Sequence, residues 1–506
     1  MIKRERMKDL LFRKMKREDI IVWGSFLISL CVILCQIQGA FSYDLWVDEA
    51  FSIRMLEHSY GEMIALTAKD VHPPLYYIIL KAGIGILNFC FAGRVPEIFC
   101  ARLISDVPFI LLWLMALIWV RPRWGNHIAA LFAICIVAAP QLTGYGIDIR
   151  MYSWALLFVT GSFMAAFELV RNDGHAPRAW ISFVVFGLMA AYTHYFALVS
   201  VAIAWLMILV DAYRKKDIYL FKTWVIWMLI TVLAYLPWMS VLFQQMKTVK
   251  SGYWIPTITA HTVWNYVIFA FGNIPCVVIT LLVILLAFVK RTSAMNDERK
   301  WAIAWSVGCT TGTVAIGILA SVLIRPVFVE RYMVPALGCL WFGFCLAWDS
   351  LDISWLKKTV FALSVLFAAY NVTSFVVQNN RGKQASKELM QTLSAQNNAV
   401  YVMEDAQVRN IFGALTGSRC FQYGYGIDDL SKEVFGNIDS IEGKNELLDL
   451  LKEDTNLYFV ETADEEDTIG KIEQENAFLK AENIGTFFVQ NTVSRKEITL
   501  YKISSE

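Results

Sequence analysis

The chain has 506 residues, with 45 basic against 44 acidic side chains, 57% hydrophobic composition and 18% charged residues; its mean hydropathy is +0.49. A soluble globular chain runs roughly 45–50% apolar and about 25% charged, so this one has too little polar surface to cover itself in water. Its size and its ten cysteines, which show no CxxC or metal-type spacing, exclude a disulfide-built secreted scaffold. The near-zero net charge excludes a disordered or nucleic-acid-binding chain.

Residues 1–19 carry eight basic side chains and no small-residue cleavage site, and read as a cytoplasmic N-terminus. Crossing ~30 Å of hydrocarbon takes about 20 apolar residues. Such runs lie near 20–41, 98–120, 127–145, 150–170, 179–194, 196–212, 223–243, 264–289, 301–324, 333–349 and 357–378. The segment 74–93 is also apolar, but Lys81 and two glycines interrupt it. Laid along the outer interface rather than across the membrane, it puts every basic loop on the cytoplasmic side: Arg121/Arg123, Arg171/Arg178, Arg214/Lys215/Lys216, Lys290/Arg291/Arg299/Lys300 and Lys357/Lys358. The expected fold is an α-helical polytopic membrane protein of about eleven transmembrane helices. Interfacial helices occupy its first external loop (41–97), and the membrane domain runs over 20–380.

From about Arg381 the character changes. The last 126 residues hold 13 Lys/Arg and 22 Asp/Glu. AVYVMED, NLYFVET, TFFVQN and EITLYKI read as strands, and ASKELMQTLSAQ and GKNELLDLLKED as helices. Residues 381–506 are therefore expected to form a small C-terminal α/β soluble domain on the extracytoplasmic side. The NVT at 371–373 falls inside an expected span, and the acidic run 464–467 reads as a solvated loop.

With this topology the external loops collect YDLWVDEAFSIR, KDVHPPLYY, GYGIDIRMY, THYF, QQMKTVKSGYWIP and IRPVFVERYMVP. Acids, histidines and arginines at membrane depth are costly and mark function more often than packing. The set brings carboxylates (Asp48, Glu49), arginines (Arg150, Arg325, Arg331) and aromatics (Trp46, Tyr76, Tyr77, Tyr145, Tyr152, Tyr195, Tyr253, Trp254) to one membrane face. Guanidinium forks hold phosphate oxygens, aromatics stack on sugar rings, and a carboxylate can take a proton from a hydroxyl. That is the chemistry of a sugar phosphate, tethered to a lipid if it is met at the interface. A transporter could carry the same residues.

DLWVDEAFS followed about twenty residues later by DVHPPLYY resembles the multi-spanning, lipid-donor glycosyltransferases of the C superfamily (GT-C). The family 39 and protein O-mannosyltransferase-like group, which includes bacterial aminoarabinose transferases, is the most similar. IDIRMYSW resembles that group's E-A-R-x-Y segment, with Asp148 where Glu is commoner; SGYWIP and ERYMVPAL resemble later motifs. The resemblance covers about residues 20–340 and leaves the C-terminal domain unmatched. It implies an inverting, single-displacement transfer of a hexose or pentose from a polyprenyl-phosphate donor to a cell-envelope acceptor (glycan, lipid or protein). The reaction would take place on the extracytoplasmic face of the bilayer; the compact architecture without a eukaryotic retention signal points to a bacterial plasma membrane, and the charge balance to no nucleic-acid partner.

On this resemblance Asp48 is the general base, although it also stands where an acid supports the first turn of a helix. Glu49 orients it or binds metal; Asp44 is a weaker candidate. His72, held extended before two prolines, meets the donor phosphate or a divalent cation, with Asp70 beside it. Arg150 is a phosphate or sugar ligand or an interfacial anchor, and Tyr152 shares its helix end. His194 and Tyr195 lie at the outer end of a span. Arg331, followed by Tyr332, neutralises the departing lipid phosphate in place of a metal, and Glu330 is a pairing partner for it. Metal dependence stays open, with Glu49 and His72 the candidate ligand pair and no other cofactor implied. Two rival readings are a lipid-linked sugar transporter or flippase, and an inactive scaffold. The first predicts charges at mid-membrane, where Asp106 is the main example.

Overall fold

The structure is a computed structural model that describes residues 2–41, 45–251, 255–289, 296–396, 398–453, 456–463, 468–475, 479–490 and 495–505. Asp44, Tyr253, Trp254 and the acidic run 464–467 lie outside the described residues. The membrane part opens with α1 (Ile2–Ile37), followed by three helices in the first loop: α2 (Val47–Met55), α3 (Tyr60–Lys69) and α4 (Leu75–Phe91). Then come α5 (Glu97–Met115), α6 (Asn126–Ala138), α7 (Tyr152–Arg171), α8 (Pro177–Ala191), α9 (Tyr195–Lys215) and α10 (Ile218–Ser251). The bundle ends with α11 (Ala260–Phe271), α12 (Ile274–Val289), α13 (Asp297–Leu323), α14 (Val334–Asp349) and α15 (Ser354–Ser394).

Among the described residues, eight helices are long and apolar enough to span a membrane, and the bent pair α11 and α12 makes a ninth. The two other expected spans are shorter. The run 127–145 stops at Ala138: Ala139 is extended (φ −69°, ψ 125°) because it precedes Pro140, which cannot continue the helix above it. α8 has 15 residues, about 22 Å of helix at 1.5 Å per residue. The run 264–289 is likewise broken. Gly272 adopts φ 83°, the Asn273 side chain caps the Cys276 N–H at 2.9 Å, and the halves meet at 76°.

Lys81 explains why α4 stays with the first loop. Its ammonium donates to the carbonyls of Leu56 (2.7 Å) and His58, tying α4 to the end of α2. At the centre of the bundle, α7 and the segment Glu330–Asp349 are almost wholly buried, whereas α10 shows most of its surface. Gly338 permits the central approach: a Cβ there would lie 2.0 Å from Thr160 Oγ1. This close crossing brings the N-terminal ends of α7 and α14 together.

α15 runs unbroken through Arg381 into the C-terminal part, so ASKELMQTLSAQ extends a span rather than starting a separate helix. Beyond it lie β1 (Val400–Met403), α16 (Ala406–Thr416), β2 (Cys420–Tyr423), α17 (Asp429–Phe435) and β3 (Ile438–Ile441). α18 (Lys444–Glu453), β4 (Leu457–Thr462), α19 (Thr468–Glu475), β5 (Leu479–Gln490) and β6 (Arg495–Ser505) complete the chain. The sheet order is β3-β2-β1-β4-β6-β5. The first four strands are parallel, and β6 and β5 are added antiparallel. Alternate strand residues feed two cores: Tyr401, Met403 and Val460 pack with α16, and Val402, Phe459 and Ile503 with α18 and α19. α16 lies against α2, and α17 against α2 and α3. Arg54 donates to the Phe435 carbonyl, a His58 ring nitrogen lies 3.0 Å from the Val434 carbonyl, and Lys69 pairs with Glu433.

Candidate functional site

α2 begins at Val47, with Trp46 as the extended residue before it and Asp48 and Glu49 in its first turn, where acids complement the helix dipole. The two carboxylates have separate fates. Glu49 is buried: one oxygen accepts from the Trp46 N–H (3.1 Å) and lies 3.4 Å from Arg102 Nη2, while the other accepts from the Ile149 N–H (2.9 Å). Asp48 keeps 28% of its side-chain surface open and meets two guanidiniums, Arg150 Nη2 at 3.8 Å and Arg331 Nη2 at 3.7 Å. Those separations are ion-pair contacts too long for good hydrogen bonds.

The Glu49–Ile149 bond also sets Arg150. Pinning the backbone of its neighbour, it fixes the 146–151 loop so that Arg150 Nη1 donates to the Asp48 carbonyl (3.2 Å) and Ser52 Oγ (3.3 Å). Arg150 is buried. Arg331 comes from the opposite side, just ahead of α14, and its Nε donates to the Tyr152 hydroxyl at 2.9 Å. Tyr145 sits edge-on to Tyr152 with ring centroids 5.1 Å apart.

Asp48, Asp70, His72, Arg150, Arg331 and Tyr332 line one cavity of about 240 Å³. Burial pushes the Asp70 carboxyl up to about 6 against the pull of Arg150. Burial, reinforced by Arg150, His194 and Arg331, holds His72 well below the usual imidazole range, so it is neutral at pH 7. His72 and Tyr332 also wall a second cavity of about 230 Å³, lined by Phe196, Leu242, Met246, Ala320 and Ile324 and bordered by Arg325. A polar chamber and an apolar one thus share a wall. His194 stacks with His72 at 5.6 Å between ring centroids, and its Nδ1 caps α9 by accepting from the Phe196 N–H. Tyr195 faces the apolar chamber; its hydroxyl donates to Gln245 and accepts from Trp238 Nε1, away from Asp48.

Asp48, Asp70, His72, Arg150, Tyr152, His194, Tyr195, Arg331 and Tyr332 therefore line one or both chambers or flank them, and Glu49 points elsewhere. Among the described residues no group of three or more His, Cys, Asp or Glu side chains is placed to hold a metal ion. Glu49, with both oxygens engaged by backbone N–H groups, does not join His72 as a ligand pair, and two guanidiniums supply the positive charge beside Asp48. Sequence reasoning missed Arg102, an arginine inside an apolar run, and Asn410, which lines the polar chamber from α16. The first carried the signal used for Arg150; the second carried none.

No protein-family model and no curated protein matches the sequence. The crystal structure of ArnT from Cupriavidus metallidurans in the apo state matches with a TM-score of 0.60 at 12% identity. The match covers 94% of this chain and 98% of that one. The same protein bound to undecaprenyl phosphate matches with a TM-score of 0.59, with the same identity and coverage. Over 94% of its length the chain thus shares the fold of that protein.

Proposed function

We propose that the chain is a membrane glycosyltransferase that moves a sugar from a polyprenyl-phosphate donor to a hydroxyl or amine of a cell-envelope acceptor. The observation that carries this reading is the open Asp48 carboxylate, set between Arg150 and Arg331 in a polar chamber that adjoins an apolar one. The undecaprenyl phosphate bound by the structural neighbour supports a lipid-phosphate ligand. The lipid tail lies in the chamber of Phe196, Leu242 and Met246, and the phosphate enters between the two arginines. Neutral His72 and the Tyr332 ring stand at the passage between them.

In the transfer, the acceptor oxygen or nitrogen attacks the sugar's anomeric carbon while the bond from that carbon to the phosphate oxygen breaks. Asp48 takes the acceptor's proton, and the electron pair of the broken bond leaves on the lipid phosphate. Arg150 and Arg331 hold the charge that builds on that phosphate, which in a dry, preorganised chamber is worth several kcal/mol, about two to three powers of ten in rate. A single displacement inverts the anomeric carbon. Within the superfamily, the first-loop motif favours the family 39 and aminoarabinose-transferase-like group. The basic-loop count favours a cytoplasmic N-terminus and an extracytoplasmic site in a bacterial plasma membrane.

The test is sugar transfer from radiolabelled polyprenyl-phosphate hexoses and pentoses to an envelope fraction, by wild type and Asp48→Asn. Label reaching the acceptor with wild type alone supports the reading and names the sugar. Donor binding without transfer by either protein, for every donor, defeats it in favour of a transporter or scaffold.

A further inference from the structure

The polar chamber is not closed by the membrane helices alone. Its remaining wall is Asn410, on the helix α16 that the C-terminal domain lays against α2. Asn410 is buried, and its Oδ1 accepts two hydrogen bonds from the adjacent Arg409, from Nε at 3.0 Å and from Nη2 at 2.8 Å. A guanidinium has only donors, so the amide oxygen must face Arg409 and the Nδ2 group must be turned away from it. Arg409 is itself buried and held by Gln422 Oε1 at 2.8 Å, and Gln422 in turn donates to the Met403 carbonyl at the end of β1 (3.3 Å). Among the described residues no carboxylate pairs with Arg409. A buried cation is costly to keep, and here two of its three hydrogen bonds go to orienting the Asn410 amide.

We propose that Asn410 is a specificity-determining residue supplied to the membrane site by the C-terminal domain, its Nδ2 donating to a hydroxyl oxygen of the sugar on the lipid donor. The proposal rests on the glycosyltransferase reading. The chemistry separates sugar from phosphate: two guanidiniums already serve the phosphate charge, and a neutral amide adds little to them. A fixed N–H donor in the chamber that Asp48 and Asp70 also line suits a neutral hydroxyl, and rejects a ligand that leaves it unpaired. The C-terminal domain is then part of the reaction chamber, with Arg409 as the positioning residue behind Asn410.

The experiment uses the full chain in detergent. It measures binding of polyprenyl phosphate alone and of a panel of polyprenyl-phosphate hexoses and pentoses. The quantity of interest is the affinity gained from the sugar, the ratio of the two Kd values for the best donor. Wild type should show such a gain. Asn410→Leu should reduce it about tenfold, the order of one hydrogen bond to a buried group, with the Kd for polyprenyl phosphate within about twofold of wild type. Asn410→Asp keeps the side-chain shape and the Arg409 contact but lacks the N–H donors, and should lose the same gain even if the leucine variant folds poorly. Lys69→Gln, which cuts an exposed ion pair across the same domain seam, should leave the gain intact. A gain that survives Asn410→Asp, a loss equal for phosphate and sugar donors, or no sugar gain in wild type overturns the proposal. Failure of wild type to transfer sugar from every donor sinks the glycosyltransferase reading but leaves this binding contrast measurable.

Discussion

The two ends of the helix bundle each hold a cavity ringed with charge, and they are built to opposite ends. At the end formed by the C-terminus of α9, a cavity of about 300 Å³ carries Arg171, Asp173, Asp211, Arg214, Lys215 and Glu298. Every cation there has a close partner: Lys215 lies 2.7 Å from Asp173 and 2.9 Å from Asp211, Arg214 3.0 Å from Asp211, and Arg171 3.2 Å from Glu298. At the other end Asp48 faces two arginines at 3.7 and 3.8 Å. Charge and cavity alone do not make a site. What distinguishes the Asp48 end is charge held apart by other bonds, with Arg150 tied to the Asp48 carbonyl and Ser52, and Arg331 tied to Tyr152. Groups already fixed at a distance need little rearrangement when a ligand's charge arrives.

The largest effects should therefore come from the stretched cluster. Asp48→Asn should lower turnover by about 10²–10⁴-fold, the range of general-base catalysis, while the thermal midpoint stays near that of wild type. Arg331→Met should lower kcat by about 10²–10³-fold, as the loss of one preorganised donor does elsewhere. Both are read in the transfer assay. Equal losses on Arg214→Gln at the opposite end would contradict the contrast.

Glu49, next in sequence to Asp48, should give a stability effect. It forms a buried ion pair with Arg102, both side chains being 1% exposed, and removing one partner of such a pair costs about 3–5 kcal/mol. Glu49→Ala should sharply lower the thermal midpoint, and adding Arg102→Met should recover part of the loss. A fall in turnover with the midpoint unchanged would instead put Glu49 in the reaction.

The resemblance gives the two acids different roles, but their residue types and spacing alone do not divide them. Successive helix residues point about 100° apart, so adjacent acids in DEAF go one to the chamber and one to the core, and which is which depends on where Arg102 and the 146–151 loop lie. Apolar runs were legible as helices because hydrophobic length is a local property. The breaks at Pro140 and Gly272 also have local causes, although run length alone passes over them. β1, β4, β5 and β6 were legible from their apolar residues, whereas Cys420–Tyr423 and Ile438–Ile441, no shorter than β1, are interrupted by Gln422 and by Asp439 and Ser440. Asn410 was out of reach for a different reason: its contact with the chamber arises only when a domain some 360 residues downstream docks on α2.

Asp70 sharpens the contrast through pH. Its carboxyl is raised to about 6 in the folded chain from the ordinary aspartate value of 3.8. Folding is thus favoured by the protonated form: the contribution is fully present below about pH 4 and is lost as pH rises through about 6. Between those limits the thermal midpoint of wild type should fall relative to that of Asp70→Asn, which cannot titrate. Parallel curves for the two proteins would place the Asp70 carboxyl in a better-solvated position than the chamber gives it.

The smallest effect belongs to the paired end. Arg214 is 41% exposed and Asp211 keeps a second partner in Lys215, so Arg214→Gln removes a screened ion pair without leaving a buried charge alone. Such pairs contribute about 0–1 kcal/mol. The Arg214 guanidinium also covers the Trp301 ring at 4.3 Å, a contact worth about 0.5–1 kcal/mol at an exposed position, so the two losses together shift the midpoint by a few degrees at most. Transfer should be unaffected, because the substitution lies at the far end of α9 from His194 and Asp48. If Arg214→Gln instead changes kcat while the midpoint holds, the two ends are coupled through α9, and the paired cluster is part of the machinery rather than a seal on the bundle.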